Sequence, residues 1–412
     1  MGASTVNAAE PAVLPPPGNP RFAPVDGLRA FAALAIVLTH TAFISGFNGH
    51  GFPGAVTARL DVGVPLFFVI SGFLLYRPFV AARLHGRSGP RVRRYARRRA
   101  LRILPAYWLA LTVLAIWPGL EGVHSGDWWR YYLLVNDLTV AHVHGGIAAA
   151  WSLCVEVQFY VLLPVYALLL ARLLRGRAVR TQIQVELVVL ALLGGASIAA
   201  RWISFADPSP DTVSSTSAGT FLWFTLGMGL ALASARWHDV PVGERPAVLR
   251  LLVRRPLISW ALGAAALVAC TQIGMPVLDL NGYDLSDWIV GYVLYGLVAL
   301  FTAAPIMLGV DGTGGVPERL LTWRPIAWVG LISYGIFLWH HPLTGKFISV
   351  QDWTTHGSFV IYTLVVLAVA TTCAAISYYA VERPLLRFKD PKRPEQQPSA
   401  TEAERVELAG AA

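Results

Sequence analysis

Arg29 and His40 stand eleven residues apart within the apolar run LRAFAALAIVLTH (28–40). At 100° per residue this is about 1100°, roughly 20° past three full turns. On a helix both side chains then share one stripe, about 16 Å apart along the axis. Ionisable groups in such a helix are costly and turn towards a partner or a cavity. An imidazole placed there suits a general base or a nucleophile. Taken alone, the pair also fits a snorkelling arginine beside a histidine bonded to a neighbouring helix.

Three further stretches hold residues of the same kind. RRALRILPAYW (98–108) opens with Arg98, Arg99 and Arg102. Arg99 and Arg102, at i,i+3, stack on one helix face and make a fork suited to phosphate. Anchoring of a span by flanking positive charge accounts for the arginines upstream. WSLCVEVQFY (151–160) repeats Ser152, Glu156 and Tyr160 at i,i+4, a polar stripe on an apolar helix. Glu156 there calls for a cationic or hydrogen-bonding partner, which a structural pairing would also supply. ISYGIFLWHHP (332–342) puts Ser333 and His340 on one face and Tyr334 and His341 on another. His340 is the better candidate for a cavity, and His341 reads as an interface or packing residue. The clusters HVH (142–144) and HH (340–341) lack the convergent ligands and carboxylate support of a catalytic metal site, so no metal is expected. Glu382 in ERP (382–384) is explained by helix termination and pairing with Arg387 or Lys389.

What positions these groups follows from composition. The chain has 412 residues, 55% hydrophobic and 14% charged, with mean hydropathy +0.54. A soluble domain carries about 25% charged residues, so the expected fold is all-α, a polytopic membrane helix bundle. Runs of about 20 apolar residues place ten spans near 27–46, 62–82, 101–118, 151–171, 184–204, 219–235, 257–275, 286–309, 325–345 and 358–380. The piece 129–140 is too short and polar to cross and is expected to lie in the interface or re-enter. Cys154, Cys270 and Cys373 are far apart and read as packing residues.

Segment 83–102 carries nine arginines and no acid, 172–180 four arginines, and 236–255 five against two acids. The alternate loops hold only Arg59, Arg130 and Lys346. Both termini are therefore expected to be cytoplasmic. The net charge of +9 is spent on this asymmetry and does not point to nucleic acid. Residues 1–22 and 389–412 read as disordered tails around a membrane domain at 23–388, with no cleaved signal and no soluble domain after the last span.

The motifs, in order, resemble those of the family-3 membrane acyltransferases, multi-pass bacterial enzymes that O-acylate cell-surface sugars, lipids and some natural products. The matching pieces are DGLRAFAALAIVLTH (26–40), VPLFFVISGFLL (64–75), RRALRILPAYW (98–108), WSLCVEVQFYVLLP (151–164), ISYGIFLWHHP (332–342) and VERP (381–384). The resemblance implies that Arg29 and His40 are the essential pair of the first span. It maps the family's basic pair onto Arg99 and Arg102, its tryptophan and acid onto Trp151 and Glu156, and its late histidine onto His340. Where relatives commonly have an aromatic residue, this chain has His341.

The resemblance also implies a cytoplasmic acyl-CoA donor, by default acetyl-CoA, used as a co-substrate with no permanently bound cofactor. Arg98, Arg99, Arg102 and the arginines before them would hold its phosphates, and Arg29 would orient the pantetheine arm. The acceptor would be a hydroxyl of a carbohydrate, glycolipid or natural product, at a bacterial plasma membrane. His40 would act as general base or as acyl carrier, the first asking for fewer steps. A secondary transporter of a small anionic or sugar-like solute is the alternative, though neither paired repeats nor matching broken helices are visible. A structural membrane protein, with Arg29 and His40 as a helix–helix pair, is another.

Overall fold

A computed structural model describes residues 23–139, 142, 145–205, 216–237, 240–272, 285–309, 316–348 and 358–389. The tail 1–22 and residues 390–412 lie outside them. Among the described residues there are helices and turns and no strand. The apolar runs leave no water for backbone groups, and a helix satisfies them within each segment.

The ten expected spans each fall on a helix. These are α1 (Ala23–Ile44), α3 (Gly63–Leu84), α4 (Val92–Ile116), α6 (Trp151–Leu173), α7 (Val179–Phe205), α8 (Ser217–Trp237), α10 (Pro256–Gln272), α11 (Leu285–Leu308), α13 (Arg324–Ile348) and α14 (Ser358–Ser377). Short helices α2 (Gly51–Ala58), α5 (Trp128–Tyr132), α9 (Ala247–Arg254) and α12 (Val316–Thr322) lie between them. Among the described residues, eight helices are long and apolar enough to cross a membrane, and nine if α9 and α10, bent by 91° at their junction, count together. At 25 residues α13 is long enough, but its tryptophans, tyrosine and paired histidines lower its apolarity. The protein is a multi-pass membrane helix bundle.

One difference from the sequence reading concerns the arginines. Helix α4 begins at Val92, so Arg93–Arg102 stand on a continuous helix and not in a connecting loop. Arginine is a good helix former, and the run holds no glycine or proline until Pro105.

Two packing seams position the functional side chains. Helices α1 and α13 run parallel in contact, and a Cβ on Gly330 would meet the Asp26 carbonyl oxygen at 1.8 Å. Helices α3 and α8 touch in the same way, with a Cβ on Gly227 meeting the Val69 carbonyl oxygen at 2.1 Å. Small residues allow such close backbone approach where apolar lipid offers no driving force for association. One buried core gathers α3, α6, α8 and α11 around Phe68, Phe73, Phe159 and Phe224. A second gathers α1, α4, α13 and α14 around Ile36, Tyr107, Leu111 and Tyr362. Val64, Phe67 and Tyr160 border both cores, and the candidate site lies along that border. Exposed Leu162, Val165, Leu169, Val188 and Leu192 give α6 and α7 an apolar outer surface suited to lipid.

Within 129–139, the turn at Asn136–Leu138 folds its first two residues inward. Asn136 and Asp137 are buried in a 3₁₀ turn. Cys154 Sγ donates to Asn136 Oδ1 at 3.1 Å, and Gln158 Nε2 donates to Asp137 Oδ2 at 2.6 Å. Gln158 is seven residues into α6, about 10 Å along its axis, so this turn lies beside the helix and not over its end.

Candidate active site

Five helices that are distant in sequence wall one chamber of about 80 Å³. Helix α1 contributes Arg29, α3 Val64, Phe67, Phe68 and Ser71, and α4 Arg99, Arg102 and Ile103. Helix α6 contributes Ser152, Leu153, Glu156 and Tyr160, and α13 Ser333, Tyr334 and Phe337. The sequence candidates Arg29, Arg99, Arg102 and Glu156 thus meet in one place. Arg98, one residue from Arg99, is half-buried and does not line the chamber, because adjacent helix positions point about 100° apart.

The chamber walls carry three guanidiniums and one carboxylate. Arg29 is bonded to Asp26 one turn below, at 3.3 Å. Arg99 lies over the Tyr160 ring at 5.8 Å, and its Nε is buried with no protein partner. A buried N–H left without an acceptor is expensive. Together with the excess positive charge, it marks a place that fits an anionic ligand. Ser71 Oγ donates to Glu156, so the carboxylate ties α6 to α3 while still facing the chamber. Tyr334 donates to the Ile103 carbonyl at 3.1 Å and fixes α13 against α4.

His40 and His340 lie beyond the chamber, past Phe337, on the two parallel helices. His40 Nδ1 and His340 Nε2 are 2.8 Å apart, with the rings stacked at 5.0 Å and 21°. The other nitrogen of His340, Nδ1, lies 2.8 Å from the Phe337 carbonyl and 3.1 Å from that of Ile336. Carbonyls only accept, so Nδ1 carries the hydrogen, and in the neutral ring Nε2 is bare. His40 Nδ1–H therefore donates to His340, and His40 Nε2 keeps its lone pair. These partners assign the tautomers of both rings. His340 is fully buried, whereas His40 is half-buried and reachable. His341 approaches His40 edge-on at 4.8 Å, so it joins the cluster in addition to packing.

Glu382 corrects a sequence expectation. A π turn at Tyr378–Glu382 closes α14 and leaves Glu382 2% exposed. Among the described residues no ion pair joins it to Arg387 or Lys389. It lies within electrostatic reach of Arg102, and its Oε1 has no hydrogen-bond partner. The extra residue of the π turn rotates the side chain inward, which the sequence pattern does not show. Sequence reasoning also passed over Ser71, Phe67 and Phe337. Ser71 lies seven positions after Val64, the spacing of one helix face, and that periodicity was the available signal.

In the connection between α4 and α6, His142 Nε2 lies 3.2 Å from Asp127 and its Nδ1 lies 2.9 Å from Thr139 Oγ1. His144 falls outside the described residues. No group of three metal-capable side chains is found among the described residues.

Residues 22–378 match the family described as an acyltransferase domain. A Bacillus subtilis protein provisionally named a peptidoglycan O-acetyltransferase is 27% identical over 384 residues, 89% of this chain and 55% of that one. The peptidoglycan O-acetyltransferase of Listeria monocytogenes is 22% identical over 382 residues, 88% of this chain and 55% of its own. An O-acetyltransferase of Staphylococcus aureus is 26% identical over 386 residues, 89% and 58% respectively. The chain spans little more than half the length of these curated relatives. No solved structure matches the chain.

Proposed function

We propose that this chain, which belongs to the acyltransferase-domain family, moves an acetyl group from acetyl-CoA to a hydroxyl of a cell-surface carbohydrate or glycolipid. The observation that carries the reading is a chamber with a cationic base whose far end stops beneath a hydrogen-bonded histidine pair. The naming of the relatives for O-acetylation, of peptidoglycan in two cases, supports a carbohydrate acceptor.

The arginine-rich end of the bundle is read as cytoplasmic. CoA phosphates would then bind at Arg99 and Arg102 through charge-assisted hydrogen bonds, with Arg99 Nε gaining the acceptor it lacks. The pantetheine arm would pass Arg29 and Glu156 towards Phe337. Helical side chains lean towards the N-terminus, so on α1 and α13 both imidazoles lean towards the chamber.

His40 Nε2 takes the proton of the acceptor hydroxyl, and that oxygen attacks the thioester carbonyl. The C–S bond breaks, and the thiolate recovers the proton from His40 as CoA leaves. While His40 is protonated, its Nδ1–H points at His340 Nε2, and His340 is braced on the Phe337 and Ile336 carbonyls. The pair thus selects the base nitrogen and holds the imidazolium in place.

Detergent-purified protein with acetyl-CoA and a peptidoglycan fragment as the acceptor tests this. Thiol release should occur, and CoA binding should weaken when Arg99 and Arg102 are both changed to Gln. A folded wild type that binds no CoA would overturn the donor assignment and turn attention to solute transport. An acetyl group trapped on His40 and transferred at the turnover rate would replace the general-base route by a covalent one.

A further inference from the structure

The chamber changes character along its length. On α3 its lining residues Val64, Phe67 and Ser71 run from apolar to polar, and on α13 Ser333, Tyr334 and Phe337 run from polar to apolar. The two helices cross in opposite directions, so both apolar ends lie at the histidine end. There the Phe67 and Phe337 rings meet edge to face, with centroids 6.5 Å apart. Phe337 is also 5.8 Å from the His340 ring, so the aromatic pair borders the chamber on its histidine side.

Phe67 differs from its neighbour. Phe68 is buried in a stack on Phe224 at 4.5 Å, whereas Phe67 is only half-buried and turns part of its ring into the chamber. The space beneath holds roughly half a dozen water-sized groups. An acyl-CoA arm that enters from the arginines brings its acyl end first, and that end meets Phe67 and Phe337.

We propose that Phe67 and Phe337 set the acyl-chain length of this protein, admitting an acetyl group and turning away chains of six carbons. The inference rests on the acyl-CoA reading above. An extended chain must displace one ring, and both rings are wedged, Phe337 in a packed core and Phe67 at the border of two. Overfilling such a place forces side chains off their rotamers.

Competition titrations on the full-length purified protein test it, with free CoA, acetyl-CoA, butyryl-CoA and hexanoyl-CoA displacing a fluorescent CoA. Wild type should prefer acetyl-CoA over hexanoyl-CoA by about tenfold or more, the discrimination expected of a tight apolar pocket. Phe67→Ala should bring the two within about threefold or reverse them. Phe337→Leu and the milder Phe67→Leu should move the ratio the same way and serve if the alanine variant folds poorly. Free CoA read in the same titration reports whether the arginine base is formed. A wild type indifferent to chain length overturns the proposal, as does a ratio unmoved by these variants while free CoA still binds. A folded wild type that binds no CoA removes the donor reading and this inference with it.

Discussion

Two glutamates stand inside the bundle in contrasting settings. Glu186 on α7 is 0% exposed, and both its oxygens are engaged, one by the Tyr76 hydroxyl and one by Arg83. Glu156 on α6 takes a hydrogen bond from Ser71 but lines a chamber shared with three arginines. The first is a closed ion pair that fastens α3 to α7. The second leaves its charge facing space. A buried ionic group is therefore no sign of chemistry by itself, nor is an unpartnered guanidinium Nε, which Arg83 and Arg99 share; what distinguishes the candidate site is the room left beside it.

The sharpest test lies on the open side. His40→Ala, compared at equal folding yield, should lower acetyl-CoA-dependent thiol release by about 10²–10⁴-fold. A loss smaller than that of a typical surface substitution would remove the histidine pair from the chemistry. On the closed side, Glu186→Ala strands Arg83 and should destabilise the protein by about 3–5 kcal/mol, read as a lowered thermal midpoint, while the folded fraction keeps its turnover. Glu156→Gln should do the reverse, shifting the midpoint little and turnover by about tenfold or more. If both glutamate variants behaved alike, the distinction between closed and open sites would fail.

His340 offers a finer cut. His340→Asn should lower kcat by about tenfold or more, because His40 loses the partner that selects its tautomer. KM for acetyl-CoA should hold, since the chamber is unchanged. A rise in KM alone would make His340 a packing residue.

The smallest expected effect belongs to a third buried carboxylate, Asp137 in the inward turn. Burial pushes its carboxyl up to about 6, partly opposed by the Gln158 amide. Between the unfolded value of 3.8 and about 6, the folded chain holds a proton that the unfolded chain has released. Stability therefore falls as pH rises through that window, and the full penalty is present above it. Asp137→Asn should raise the thermal midpoint by about 2 °C or more at pH 8 and by progressively less towards pH 5. An equal gain at both pH values would show that charge is not its origin.

Much of the architecture was legible in the residues. Apolar runs located the ten long helices, and eleven-residue spacing put Arg29 and His40 on one stripe. The i,i+3 and i,i+4 stripes of Arg99 with Arg102 and of Glu156 with Tyr160 named side chains that do line one chamber. Arg98 was grouped with them on type alone, and helix geometry turns it away. Glu382 was assigned to a surface pairing because a π turn has no sequence mark here. His341 was set aside because only its own helix was in view, and its approach to His40 comes from another.

The sequence by itself determined which segments become helices, which residues share a face, and where positive charge gathers. Those properties follow from local backbone periodicity and from the cost of charge in an apolar medium. Only the tertiary structure decided which faces meet. His40 and His340 are 300 residues apart, and Phe67 meets Phe337 across two helices that share no local signal. Rotation of each helix about its axis is set by close packing at glycines such as Gly330 and Gly227. Periodicity leaves that rotation open, and side-chain contact between helices settles it.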